Sequence, residues 1–239
     1  MAARSYGQYC GVTTAVELIG ERWALLIVRD LLVGPRRYTD LRRGLPRIPT
    51  NILSTRLKEL QEGGVVRRVP LSNCGLVYEL TPYGRSIEPI VLALGRWGFQ
   101  AMGDPEPGDV ITADSLTMAL RTAFRADRAV DAEYELHVGD VALRASVREG
   151  ELRVAQIAPP APPVGGSLPD AEPDAVIVAG PGVRHLIGGE VTPAEALAAD
   201  IVAVVRGEAS LLDSFAGTFH IAAPGVGRAR EAQEVGAFD

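Results

Sequence analysis

Thr50, Asn51, Ser54, Thr55 and Lys58 lie at helical spacing on one short stretch, "TNILSTRLKEL". Short hydroxyl and amide side chains at the start of a helix can reach base edges, and the helix N–H groups can meet phosphate. Arg36, Arg37, Arg42, Arg43, Arg47, Arg67 and Arg68 surround the stretch, and Arg56 sits at its margin. The chemistry this implies is duplex DNA recognition, with bases read by the polar face and phosphates held by arginine. A solvated polar face on an amphipathic helix is common and usually binds nothing. The density of arginine around this one favours DNA.

The elements that must position these groups follow from periodicity and punctuation. Residues 13–33 read as two helices hinged at "GERW", the first capped by Thr13 or Thr14. Thr39 is a suitable N-cap for a short helix over "DLRRGL". Thr50 is expected to cap the next helix, which buries Leu53, Leu57 and Leu60 at i, i+4, i+7 and ends at Gly63-Gly64. "VVRRVPL" and "LVYEL" predict two strands around the turn "SNCG". Thr81-Pro82 opens a helix running to about Met102, with the stripe Ile87, Val91, Leu94 and Trp97. Such a stripe serves either the chain's own core or a partner helix. The order is that of a winged helix-turn-helix.

Charge divides the chain. Residues 1–103 hold 14 Lys+Arg against 8 Asp+Glu, whereas the remainder holds 10 against 22. Only the front half has the sign that attracts phosphate. Apolar residues make up 47% of the chain, enough for real cores. Cys10 and Cys74 form neither a disulfide framework nor a zinc motif, and the three histidines lie far apart, so no cofactor or metal is expected. No apolar run reaches spanning length and "MAARSYGQYCG" lacks the core of a signal peptide. The expected setting is the cytoplasm, without a membrane partner.

The segment from Tyr9 to Arg68, with "VYELTPYGRSIEPIVLALGRWG" after it, resembles the HxlR family of bacterial winged-helix regulators. The features that carry this are Cys10, Gly20, Trp23, "GPRRYTDL" from Gly34, "I-x-x-x-x-L-S-x-R-L-K-E-L" from Ile48, and "Y-E-L-T-x-x-G" from Tyr78. The resemblance covers about residues 6–100. It implies a homodimer packed through terminal helices, with one recognition helix per half-site of a near-palindromic operator. Cys74 at the wing tip departs from the family pattern. Some members use a cysteine at the position of Cys10 to sense oxidants or electrophiles. That role needs an exposed thiol of lowered pKa, whereas a buried cysteine would act as a small apolar residue.

"GDPEPGD" (103–109) reads as an acidic linker. Beyond it come a helix, a three-stranded meander, a proline-rich loop, then strand, helix, strand and helix, an α+β pattern. No nucleophile elbow, phosphate loop or paired-carboxylate motif appears, so no enzyme is expected. Glu133 and Glu135 read as a solvated face, and His185 and His220 as structural histidines. The run from Asp174 to Phe219 resembles the sterol-carrier-protein-like fold, through "G-x-x-T-P-x-x-A" from Gly189 and "IVAVVRGE". That resemblance covers about 112–222. It implies an apolar cavity lined by Leu116, Leu120, Phe124, Leu212 and Phe215, which could equally fill a closed core.

The expected architecture is α+β. A winged-helix DNA-binding and dimerisation domain spans 1–102 and a linker 103–109. A sterol-carrier-like domain able to hold an apolar effector spans 110–223, and a loose tail 224–239. The expected function is a homodimeric transcriptional regulator bound to double-stranded DNA. The alternatives are a lipid-like ligand carrier, or a redox-sensing regulator acting through Cys10.

Overall fold

The computed structural model describes residues 5–71, 75–157 and 172–222. They group into two compact units. One holds the residues up to Ala93 with Ile111–Met118 and residues 155–157; the other holds Leu94–Val110, Ala119–Val154 and the residues from 172 onward.

The first unit runs α1 (Gly11–Ile19), α2 (Ala24–Val33), α3 (Tyr38–Gly44), α4 (Thr50–Glu62), β1 (Val66–Pro70), β2 (Leu76–Leu80), α5 (Pro82–Arg85) and the start of α6 (Glu88–Phe99). Leu53, Leu57 and Leu60 are buried as their spacing predicts, in one cluster with Ile27, Leu31, Leu41, Val65 and Leu80. β1 and β2 pair antiparallel with Arg67 opposite Glu79 and Arg68 opposite Tyr78, forming the wing. The expected turn at 72–74 lies outside the described residues. Thr81 stitches the wing to α5. Its hydroxyl donates to the Gly64 carbonyl at 2.6 Å and accepts the Gly84 N–H at 3.0 Å. A Cβ on Gly84 would lie 2.0 Å from the Val65 carbonyl oxygen, so only glycine fits this crossing.

Several helix starts differ from the sequence expectation. Pro49, not Thr50, holds the cap position of α4, because its carbonyl already accepts the Leu53 N–H. α3 opens at Tyr38, where the Asp40 carboxylate accepts the Arg37 N–H at 3.0 Å. α1 opens at Gly11, so Cys10 rather than Thr13 or Thr14 precedes it. The long helix expected from Pro82 to Met102 is two helices, α5 and α6. Pro89 offers no N–H to continue a helix from α5 but fits the first turn of a new one.

The second unit is built on a five-stranded sheet, ordered β5 (Glu151–Gln156), β4 (Val141–Arg148), β3 (Ala132–Val138), β6 (Ala175–Ala179), β7 (Val202–Arg206). The meander is antiparallel, β3 and β6 are parallel, and β7 returns antiparallel. α7 (Ala113–Ala123) precedes the sheet; α8 (Val183–Ile187), α9 (Pro193–Ala198) and α10 (Ser210–Thr218) accompany its second half. α8 is absent from the sequence reading, its five residues being too short for a periodic signal. Ala132, Tyr134, Leu136 and Val138 are all buried, one face of β3. The other face is not solvated as expected. Glu133 is 3% exposed and bound by Ser146 and Arg148, and Glu135 is half-buried between His137 and Arg144.

Candidate nucleic-acid interface

α4 turns Thr50, Asn51, Ser54 and Lys58 to solvent because Leu53, Leu57 and Leu60 commit the opposite side to the core. Thr55 is half-buried, and its hydroxyl donates to the Asn51 carbonyl at 2.9 Å. Ser54 Oγ donates to the Thr50 carbonyl at 3.0 Å. Tyr38 Oη donates to the same carbonyl at 2.9 Å, which fixes α3 against the start of α4. Asn51 thus stands exposed in the first turn of α4, where a helix offers its N–H groups and positive dipole end. Lys58 lies 3.7 Å from Glu62, a solvated pair of little consequence.

Arg37, Arg42, Arg43, Arg47, Arg67 and Arg68 are exposed around this face. On the wing, Arg67 pairs with Glu79 at 2.6 Å, and the Arg68 guanidinium stacks over the Tyr78 ring at 5.7 Å. Both side chains are engaged by groups of the hairpin itself.

Two of the expected DNA contacts are elsewhere. Arg56 is tied to Glu21 at 3.1 Å and to Glu59, bracing α4 against the turn before α2. Arg36 is 5% exposed. Its backbone pairs with Tyr78 in both directions, at 3.0 and 2.8 Å, a single antiparallel bridge beside the wing, and the side chain turns inward. There its Nε and Nη2 donate to the two oxygens of Asp114, at 3.0 and 2.5 Å, and Nη1 donates to the Pro35 carbonyl. Asp114 is 8% exposed and also accepts from Gln156 at 3.0 Å. Asp30 of α2 is nearby and fully buried, with Oδ1 bound by Arg29 and Oδ2 without a partner. Burial, and secondarily the negative charge of Asp114, push the Asp30 carboxyl up to about 6, against the pull of Arg29 and Arg36.

Cys10 is exposed at the N-terminus of α1, so the reading of it as a buried apolar residue does not hold. The Thr13 and Val12 backbone N–H groups, with the Thr13 hydroxyl, hold its thiol below the ordinary cysteine range. Cys74 lies outside the described residues.

The apolar stripe on α6 divides. Ile87 and Val91 pack against the core of the first unit, whereas Leu94 and Trp97 are exposed. Ile90, which the sequence reading passed over, is 56% exposed and completes a solvent-facing line Ile90, Leu94, Trp97 at i, i+4, i+7. Val12 and Val16 on α1, with Tyr9 just before it, make a second exposed apolar group.

Leu120, Leu212 and Phe215 are fully buried in the second unit, and Leu116 falls in the first. Phe215 meets Phe219 at 4.8 Å and Tyr134 at 5.4 Å between ring centroids, and Phe124 meets Phe219 at 6.1 Å. His185 stands between carboxylates, with Nδ1 2.6 Å from Glu190 and Nε2 2.9 Å from Asp104. These bonds, with Arg184, hold both carboxyls below their usual range. Among the described residues no group of His, Cys, Asp and Glu is placed to hold a metal, and no helix is long and apolar enough to cross a membrane.

The model of the HxlR-like helix-turn-helix family matches residues 18–106. The HTH-type transcriptional regulator YvaP of Bacillus subtilis is 38% identical over 85 residues, which make up 35% of this chain and 79% of that protein. The regulator Rv3095 of Mycobacterium tuberculosis is 42% identical over 97 residues, 40% of this chain; the match spans 61% of the mycobacterial protein. Among solved structures, the redox regulator HypR in its oxidised form is 32% identical, with a TM-score of 0.37, covering 40% of this chain and all of HypR.

Proposed function

Because this chain belongs to the HxlR-like helix-turn-helix family of transcriptional regulators, and not to a family of enzymes, we propose that it binds a near-palindromic operator as a homodimer. α4 lies in the major groove and the wing lies on the phosphate backbone. The carrying observation is the exposed face of Thr50, Asn51, Ser54 and Lys58, ringed by exposed Arg37, Arg42, Arg43, Arg47, Arg67 and Arg68. The polar face reads bases and the arginines meet phosphates. The exposed lines on α6 and α1 support a dimer, since large apolar side chains ranked along one helix face are what an interface covers. Half-sites then lie about one helical turn, or a multiple of it, apart.

The test is a gel shift against duplex DNA over a range of salt. Binding that weakens steeply with salt and selects one near-palindrome supports the reading. Equal affinity for all duplexes at every salt concentration refutes it, and leaves the lipid-like carrier as the better account.

A redox-controlled variant of the same reading rests on Cys10. An exposed thiol whose pKa is lowered at a helix N-terminus is suited to oxidation. An oxidant that changes operator affinity in the native chain but not in Cys10→Ser supports it; the same response in both removes it. An apolar effector in the second unit would have to part Phe215 from the Tyr134 and Phe219 rings and make room beside the buried Leu120 and Leu212.

A further inference from the structure

Arg68 on the wing stacks on Tyr78. Tyr78 exchanges two backbone hydrogen bonds with Arg36. Every nitrogen of the Arg36 guanidinium is in turn spent, two on Asp114 and one on the Pro35 carbonyl. The chain of contacts that fixes a wing arginine therefore ends on a carboxylate of α7, 78 residues away in sequence. Met118, one turn further along α7, is 4% exposed and belongs to the hydrophobic cluster beneath α2 and α4. The family match stops at residue 106, before Asp114 and Met118.

We propose that Asp114 is a positioning residue of the nucleic-acid interface: by clamping Arg36 it holds the Arg36 backbone against Tyr78 and sets the attitude of the wing, so that the first turns of α7 are a working part of the DNA-binding unit. The inference rests on the DNA reading above. The physics is that of a buried pair. Two charges this far from water persist because each neutralises the other, and removing one leaves its mate uncompensated. A buried guanidinium that has lost Asp114 turns toward water, and its backbone then leaves Tyr78. The other acid nearby, Asp30, gives one oxygen to Arg29 and keeps its second oxygen without a partner, and the end of α3 lies close to both acids. A Cβ on Gly44 would stand 2.9 Å from an Asp30 oxygen and 3.9 Å from an Asp114 oxygen.

The experiment uses the full chain and three changes: Asp114→Asn, Arg68→Ala, and the two together. In Asp114→Asn, hydrogen exchange at the Tyr78 amide should speed about tenfold while the Leu57 amide of α4 keeps its protection. Operator affinity should fall about tenfold, with the salt dependence flattened as it is in Arg68→Ala. The double variant should be no weaker than the weaker single one, because both act on one wing contact. General loss of stability would not give that non-additivity. Asp114→Glu, which keeps the charge, should recover most of the affinity. Should Asp114→Asn fail to fold, the neutral pair Arg36→Gln with Asp114→Asn leaves no stranded charge and carries the same expectations. Native protection at Tyr78 in either variant overturns the proposal. Faster exchange at Tyr78 with unchanged affinity in Asp114→Asn, where Arg68→Ala does weaken binding, also overturns it. If Arg68→Ala leaves affinity and salt slope untouched, the wing itself is not on DNA; the proposed binding mode and this role then fall together.

Discussion

Asp30→Asn isolates one buried charge. Asp30 is fully buried on α2, one of its oxygens has no partner, and its carboxyl titrates near 6 instead of the ordinary value near 3.8. A carboxyl whose folded pKa lies above its unfolded pKa binds its proton more tightly in the native state. Its contribution to stability is fully present below about pH 4 and is lost as pH rises through about 6. At 1.36 kcal/mol for each unit of pKa, the whole loss, from well below pH 4 to well above pH 6, is about 3 kcal/mol. Asparagine has the same shape and no charge to bury. The variant loses the Arg29 bonds by a fixed amount, but it does not carry the pH-dependent penalty. The assay is urea unfolding of both proteins from pH 4 to pH 7.5. The difference in unfolding free energy should move by about 2.4 kcal/mol in favour of the variant over that range, most of it between pH 4.5 and 6.5. Parallel curves for the two proteins would show that Asp30 is ionised at ordinary pH and that its burial is compensated by groups the geometry does not credit.

Replacing Arg68 with Ala should weaken binding to all duplexes alike and lower the salt slope by about one, whereas Asn51→Ala should change which sequence is preferred; titrations against a randomised operator distinguish the two. Leu94→Glu places a charge in the exposed Ile90, Leu94, Trp97 line, and sedimentation should show a folded monomer; a dimer of unchanged stability would take α6 out of the interface. Phe215→Ala should cost about 3–5 kcal/mol by emptying the space between Tyr134 and Phe219, and a small aromatic solute should raise the Tm of the variant; a loss below about 1 kcal/mol would mean that the aromatic cluster is loosely packed.

α4 was legible because its signal is local. Three leucines at i, i+4, i+7 fix which side is buried, and everything polar between them must face out. The wing strands and the meander were legible for the same reason, with alternation and turn residues doing for strands what the leucines do for α4. Arg36 was misplaced because Arg36 and Arg37 are identical in type and adjacent. Only the strand-like pairing with Tyr78 and the distant Asp114 decide which of them faces inward. The sequence did hold a hint, an aspartate inside the apolar run "LLIVRDLLV", since an acid among so many buried neighbours needs charged company. The break between α5 and α6 was also available at Pro89. The stripe Ile87, Val91, Leu94, Trp97 begins in the gap and otherwise lies within α6, so it gave no sign of the break. Of the side chains proposed to line an apolar cavity, Leu116, Leu120, Leu212 and Phe215 are buried and Phe124 half-buried, but burial alone does not distinguish a lining from a filling. That difference lies in ring-to-ring distances that no periodicity encodes.

The stitch at Thr81 and Gly84 bears on what kinship can reveal about such a protein. The motif "Y-E-L-T-x-x-G" is dictated by carpentry: a hydroxyl shared between Gly64 and Gly84, and a crossing with the Val65 carbonyl that leaves no room for a Cβ. Asn51, by contrast, is exposed, so replacing it leaves the frame intact. On the proposed binding mode, a chain can therefore exchange its reading residues and keep its frame. Ancestry is then written in the joints and vocabulary in the exposed face of α4. Two relatives with identical joints are under no physical obligation to share a single regulated promoter.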